Sequence, residues 1–171
     1  MLRYSQFEFC PKCGKNKLSV FQKNGMECNE CGYVYFHNCA SAVTAIIETP
    51  KGIILTKRNH SPKKGYVDLP GGFSDYHESL ETALAREIRE ELSLELSKVK
   101  YFGSFPNEYA FKDVLYFTID AVFICKPLNI LSLRANNEIS EVFFVKPKSV
   151  ALEKIAFASA RNALIAYCGV L

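Results

Sequence analysis

The chain has 171 residues, with 21 basic against 18 acidic side chains and a formal charge of +3. That length holds one full domain, or one domain with a small appendage. A composition that is 49% hydrophobic, 13% aromatic and 23% charged excludes disorder, collagen and coiled coil, and so small a net charge implies no nucleic-acid partner while excluding none.

No apolar run approaches the roughly 18–20 residues of a bilayer span, and Met1-Leu2-Arg3-Tyr4-Ser5-Gln6 lacks the apolar stretch of a secretory leader. The expectation is a cytoplasmic protein without a membrane partner, in which disulfides are rare. Seven cysteines then need another role. Four of them form Cys10-Pro11-Lys12-Cys13-Gly14 and Cys28-Asn29-Glu30-Cys31-Gly32, two CxxC pairs fourteen residues apart. Two such knuckles offer four soft thiolates to a tetrahedral Zn²⁺, and a site closed by four protein ligands is structural rather than catalytic. Two disulfides or a redox pair are the alternative. His37 and Cys39 lie close enough in sequence to substitute as ligands. Cys39, Cys125 and Cys168 read as buried small hydrophobes. A zinc ribbon is expected over residues 1–38, closed by the aromatic run Tyr33–Phe36, and the main domain over 39–171.

In that domain Ala42–Glu48 and Gly52–Lys57 read as strands joined by a turn at Thr49-Pro50-Lys51. A basic loop follows from Lys57 to Gly65, with Arg58, Lys63 and Lys64 available to phosphate charge but also ordinary as solvated surface residues. Tyr66–Leu69 runs into the Pro70-Gly71-Gly72 turn. From Glu78 to Leu92 the apolar residues Leu80, Leu84, Ile88 and Leu92 recur every four positions, as in a helix, and Asp75 with Glu78 fits a capping-box start. Lys98–Phe105, Val114–Cys125 and Glu141–Val145 are rich in β-branched and aromatic residues and read as strands. Val150–Phe157 and Ser159–Tyr167 read as two short helices or one broken one. Strands mixed with helices give an α/β or α+β layer architecture.

The helix carries the unusual feature. At about 100° per residue, Glu91 falls about 20° from Leu80, inside the apolar stripe, while Glu87 lies just beside the stripe and Glu90 further round. Three carboxylates at i, i+3 and i+4 repel one another, and partial burial adds a desolvation cost. Either their pKa values rise or a cation compensates them; hard oxygen ligands suit Mg²⁺ or Mn²⁺. The alternative is a solvated acidic helix paired locally by Arg86 and Arg89.

Gly72, Glu78 and Arg86-Glu87-Ile88-Arg89-Glu90-Glu91-Leu92-Ser93-Leu94 resemble the Nudix box GX5EX7REUXEEXGU, with U aliphatic. Every specified position matches except the last glycine, here Ser93, a left-handed helix terminus where a non-glycine residue costs roughly 1 kcal/mol. With the cysteine module, the chain is similar to the zinc-ribbon members, including NADH pyrophosphatases. The resemblance implies a mixed sheet between helices and hydrolysis of a nucleoside diphosphate linked to another moiety, such as NAD(H) or ADP-ribose. It implies that Glu87, Glu90 and Glu91 hold Mg²⁺ or Mn²⁺ with a carbonyl of Gly71 or Gly72. It implies that Glu90 is a further ligand or the base, and that Arg86 and Glu78 orient the site. Within Glu138–Phe144, Glu141 is the candidate for a further ligand or base, with Glu138 its rival. Arg58, Phe105 and Tyr109 are candidates for substrate contact, the aromatics by stacking on a base, although alternate spacing suits ordinary strand residues equally. Gly103–Phe111 keeps only Ser104 and Pro106 of the SQPWPFPxS-like motif of NADH pyrophosphatases, which leaves the X moiety open. Members of the family often form homodimers. A non-catalytic nucleotide sensor and an RNA-cap hydrolase are the competing readings. The complete acidic set counts against the first; five basic residues (Arg3, Lys12, Lys15, Lys17, Lys23) against three acidic (Glu8, Glu27, Glu30) in the cysteine module give little support to the second.

Overall fold

The computed structural model describes residues 7–112 and 114–170; the start read for a leader, residues 1–6, lies outside them. The chain divides into two compact units between Cys39 and Ala40. In the first, β1 (Leu18–Phe21), β2 (Gly25–Cys28) and β3 (Val34–Phe36) form an antiparallel meander. Each CxxC pair is a tight backbone turn: Gly14 N–H donates to the Cys10 carbonyl and Gly32 N–H to that of Cys28, both at 2.8 Å. Gly14 and Gly32 close these turns at φ +70° and +65°, the left-handed region that glycine enters without strain.

The second unit is an α/β/α sandwich. Its strands are β4 (Ala40–Thr49), β5 (Gly52–Arg58), β6 (Val67–Asp68), β7 (Gly71–Phe73), β8 (Leu96–Phe111), β9 (Val114–Pro127) and β10 (Ile139–Val145); its helices are α1 (Leu80–Leu92) and α2 (Ala158–Gly169). The main path runs β10-β5-β4-β9-β8, with β6 on β5 and β7 on β4. β4 and β9 are parallel, and the other pairs are antiparallel. The two-residue alternation of a strand sends Ile47, Ile54, Ala121 and Phe123 to a core with Leu84, Ile88 and Leu92 of α1. Ile46, Ile53 and Val122 go to a second core with Ala160, Ala163 and Leu164 of α2. Both faces of the sheet are therefore covered.

Several boundaries differ from the sequence expectation. The helix starts at Leu80, because Ser79 is the residue whose hydroxyl accepts from Thr82 N–H at 3.2 Å. Glu78 instead accepts from the Asp75 backbone at 3.0 Å in the preceding loop. β8 continues past Phe105 to Phe111, since its partner β9 pairs with it down to Val114. Of the two tail helices, Ala158–Gly169 is α-helical and the earlier stretch holds only the single 3₁₀ turn Leu152–Lys154. Cys125 is buried as expected, whereas Cys39 is exposed and Cys168 half-buried. Ser93 caps α1 at φ 55°, ψ 30°, its N–H on the Arg89 carbonyl at 2.9 Å, which is the left-handed terminus expected there.

Candidate active site and metal centres

The site in the second unit begins where the sheet parts. β4 and β5 pair at Glu48–Ile53 and Thr49–Gly52 and then diverge, and the segment carrying β6 and β7 fills the gap. Asp68 pairs with Thr56 of β5, Gly71 and Gly72 with Thr44 and Val43 of β4, and Ala45 N–H donates to Pro70 O at 2.9 Å. Backbone contact requires the glycine at 71, and a side chain at 72 would displace the Glu87 carboxylate. A Cβ at Gly71, held at φ +145°, would stand 2.1 Å from Val43 O, and one at Gly72 would stand 2.5 Å from the Glu87 carboxyl carbon. Absence of side chains here lets the helix carboxylates reach the loop backbone.

Against that backbone α1 presents its acids. Glu91 accepts from Gly71 N–H at 3.0 Å. Arg86 ties the cluster together: it donates to Glu78 at 2.8 and 2.9 Å, Glu87 at 2.7 Å, Glu90 at 3.3 Å and Phe73 O at 3.0 Å. The Arg86 guanidinium and the Asp75 N–H hold the Glu78 carboxyl down at about 2, so Glu78 is an anchor for Arg86. Burial pushes Glu87 up, offset by Arg86. Burial pushes Glu91 up to about 8, opposed by the Gly71 N–H and reinforced by the charges of Glu87, Asp68 and Glu138. Among the described residues Glu91 has no ion-pair partner. A partly buried acid cluster, with Glu87 and Glu91 half-buried and Glu90 exposed, and with one positive side chain among three helix glutamates, is short of positive charge, and its donor set of carboxylates and a carbonyl fits a hard dication.

A cavity of about 330 Å³ opens over this cluster, within the range of ligand clefts. Gly72, Glu87, Glu90 and Glu91 line it, as do Arg58 and Tyr109. Arg58 approaches Asp68 at 3.4 Å and lies 5.0 Å from the centre of the Phe157 ring. Four candidates do not line the cavity: Arg86 and Glu78 pair with each other and reach it only through Glu87 and Glu90, and Phe105 and Glu141 are placed elsewhere. Phe105 packs in the α2-side core, stacked on Phe102 at 6.4 Å. Glu141 lies opposite Lys57 on β5 and pairs with it at 2.9 Å, both side chains exposed, beside a separate groove. Its rival Glu138 does line the cavity. A register shift between Ile139 and Glu141 breaks the simple alternation, so counting in twos from the sequence could not separate them. Asp68, Asn107, Thr118, Asp120, Phe157 and Ser159 also line the cavity and were missed. Asp120 left a signal, as the single acid within the apolar run Phe117–Cys125.

In the first unit the Sγ atoms of Cys10, Cys13, Cys28 and Cys31 all lie within 4.8 Å of one another, with Cys10–Cys31 at 3.8 Å and Cys13–Cys28 at 3.7 Å. Thiolates bound at about 2.3 Å to one zinc stand about 3.8 Å apart at tetrahedral corners. The donor set and its spacing fit Zn²⁺. Cys39 and His37 are not part of this cluster.

A sandwich that sets helix-borne glutamates against a Gly-Gly loop at the floor of a cleft is an α/β/α architecture whose carboxylates suit a cation. The NUDIX domain model matches residues 39–166, and the chain belongs to the Nudix family. It is 30% identical over 124 residues to the NAD-capped RNA hydrolase NudC of Mannheimia succiniciproducens, covering 68% of this chain and 46% of that protein. It is 27% identical over 112 residues to the protein of the same name from Vibrio vulnificus, covering 66% and 42%. The chain thus spans less than half the length of these relatives. A crystal structure of a NUDIX hydrolase from Nitrosomonas europaea shares the fold, with a TM-score of 0.72 at 24% identity, covering 95% of this chain and 91% of that one. No helix among the described residues is long and apolar enough to cross a membrane.

Proposed function

We propose that the chain is a divalent-cation-dependent pyrophosphohydrolase that cleaves a nucleoside diphosphate linked to a second moiety, with NAD-like and ADP-ribose-like compounds as its substrate class. The observation that carries this reading is Glu91, half-buried, without an ion-pair partner among the described residues and hydrogen-bonded to Gly71 N–H. Glu87, Glu90 and Glu91, with a carbonyl of the Gly71-Gly72 loop, would hold Mg²⁺ or Mn²⁺. Such an ion, when bound, neutralises diphosphate oxygens and lowers the pKa of a coordinated water. Arg86 keeps Glu87 and Glu90 oriented and holds the 73–78 loop to the helix. The Glu138 carboxylate makes no hydrogen bond or ion pair among the described residues, which suits it to accept a proton from the attacking water. Glu141, neutralised by Lys57, has no part in this set. Arg58 at the cavity wall supplies a cation for phosphate charge.

The four cysteines hold a structural Zn²⁺ in this reading, with residues 1–38 as the ribbon and 39–171 as the hydrolase domain. The names of the relatives support NAD-linked ends of RNA as members of the substrate class. The complete acidic set argues for catalysis over nucleotide sensing. The test is hydrolysis of NADH, NAD, ADP-ribose, diadenosine polyphosphates and nucleoside triphosphates with Mg²⁺ and with Mn²⁺. Turnover of dinucleotide-like members that ceases with chelator and with Glu91→Gln is expected; tight binding without turnover would overturn the reading.

A further inference from the structure

Arg58 lines the cavity at the end of β5, and its backbone is fixed there. Its N–H donates to Tyr66 O at 3.0 Å and its carbonyl accepts from Gly65 N–H at 2.8 Å. The side chain is held as firmly. Nε donates to Pro62 O at 2.9 Å and Nη1 to Asp68 Oδ2 at 3.4 Å, while Nη2 stands 3.3 Å from His60 Nε2. The guanidinium carbon lies 5.0 Å from the centre of the Phe157 ring. A guanidinium carries its N–H groups in a flat fork, two on each terminal nitrogen, so one on each is left without a partner among the described residues. With its side chain only 15% exposed, Arg58 has given up its rotamer freedom before any ligand arrives.

Among the described residues Asp68 is the one ion-pair partner of Arg58. It is 8% exposed and fixed in turn: Oδ1 accepts from Leu69 N–H at 2.9 Å, and its carbonyl from the Thr56 hydroxyl at 3.3 Å. Three residues on, Gly71 N–H holds Glu91. One short segment therefore sets the place of Arg58 and of a helix carboxylate together. A buried ion pair adds little net stability, because desolvation offsets most of the attraction. What this pair supplies is a fixed direction for the guanidinium.

We propose that Asp68 is a positioning residue for the substrate diphosphate: by clamping the Arg58 guanidinium it presents the two unspent N–H groups as a fork for one phosphoryl group. Arg58 touches the substrate, and Asp68 acts only through Arg58. A phosphoryl group offers two oxygens to such a fork, and the bidentate bond is stronger and more directional than a point-charge contact. An asparagine at 68 keeps the Leu69 bond through its carbonyl oxygen but turns an amide toward Nη1, donor against donor. The guanidinium is then free to swing. The inference rests on the pyrophosphohydrolase reading for the identity of the anion, but its test reads binding and does not require turnover.

Calorimetric titration of the full chain with ADP and Mg²⁺ at about pH 8 provides the test. Burial pushes the Asp68 carboxyl up to about 7, opposed by Arg58 and the Leu69 N–H and reinforced by Asp120, so at that pH it is ionised. Arg58→Met is expected to weaken ADP about ten- to a hundredfold, the factor for hydrogen bonds to a charged group. Asp68→Asn is expected to weaken it about tenfold in the wild-type background and by less than about twofold in the Arg58→Met background, since a residue that acts through another loses its effect with it. A merely structural Asp68 would weaken both backgrounds alike. Arg58→Lys keeps the buried charge pair but loses the fork, so it tests the claim even where Asp68→Asn does not fold, and it too is expected to weaken ADP about tenfold. In turnover the Asp68→Asn loss should sit in KM rather than kcat. No binding of ADP by the wild type, wild-type affinity in Asp68→Asn or in Arg58→Lys, or losses that multiply in the double variant would overturn the inference. Mg²⁺-dependent hydrolysis with an ADP affinity indifferent to Asp68→Asn would overturn it and leave the pyrophosphohydrolase reading standing; the expected binding pattern without hydrolysis would do the reverse.

Discussion

The two metal-suited centres of this chain are built in opposite ways. The four thiols sit on short backbone turns, already at the spacing one zinc ion needs, with every corner of the tetrahedron taken by protein. The glutamates sit on one helix turn over an open cavity, and part of their charge is met by Arg86, which bridges Glu87 and Glu90. Glu91 is left to a lone backbone N–H. A closed, preassembled set holds a fold together, whereas an open and charge-deficient set leaves coordination sites for a substrate.

Breaking the closed set should have the largest effect. A structural zinc contributes on the order of 10 kcal/mol to a small module, so Cys28→Ser or a strong chelator should unfold the β1–β3 unit. Loss of dispersed amide resonances from that unit would register it, while the signals of β4–β10 persist. Breaking the open set should instead abolish chemistry and spare the fold. Glu91→Gln is expected to lower kcat about a thousandfold, from the several kcal/mol a positioned cation supplies. The same variant should raise the melting temperature of the metal-free protein by a few degrees, about 2–4 °C per kcal/mol recovered from the half-buried, unpaired acid.

The pH dependence of the open set has a definite sign. Glu91 is raised from 4.5 to about 8 in the folded state, so the folded protein holds a proton more tightly than the unfolded chain. That stabilisation is complete below about 4.5 and is lost as pH rises through about 8. A cation must displace the proton, so Mg²⁺ affinity should rise by up to about tenfold per pH unit between 6 and 8 and then level off. Titrations at several pH values would check it, and Glu91→Gln should flatten the profile.

Smaller changes sharpen the contrast. Gly72→Ala forces the Glu87 carboxylate away from a Cβ that would stand 2.5 Å from it. The Mg²⁺ concentration for half-maximal rate should rise about tenfold, as for other misoriented ligands, with near-normal melting. Glu138→Gln should cut kcat about a hundredfold, the contribution of a general base. Glu141→Gln should leave kcat unchanged and cost at most about 1 kcal/mol of stability, since its pair with Lys57 is solvent-exposed.

Much of this was legible from residue spacing because it depends on local periodicity. The α1 stripe, the placement of Glu91 beside leucines, the left-handed turn at Ser93 and the paired knuckles are properties of short segments. What escaped depends on which distant strands meet. Phe105 and Tyr109 share a face of β8, and only the packing of Phe102 and α2 decides that the first is core and the second borders the cavity. Which of Glu138 and Glu141 lines the cavity follows a register shift between Ile139 and Glu141. The wall of Asn107, Asp120 and Ser159 draws on β8, β9 and α2, so no single stretch of sequence contains it.

The central claim, that the helix glutamates are assembled for a hard dication, is tested most directly by melting the wild-type and Glu91→Gln proteins with and without Mg²⁺ at pH 8. Mg²⁺ should raise the transition of the Ala40–Val170 unit by several degrees in the wild type and leave the variant unmoved. No shift in the wild type, or an equal shift in both, would contradict it.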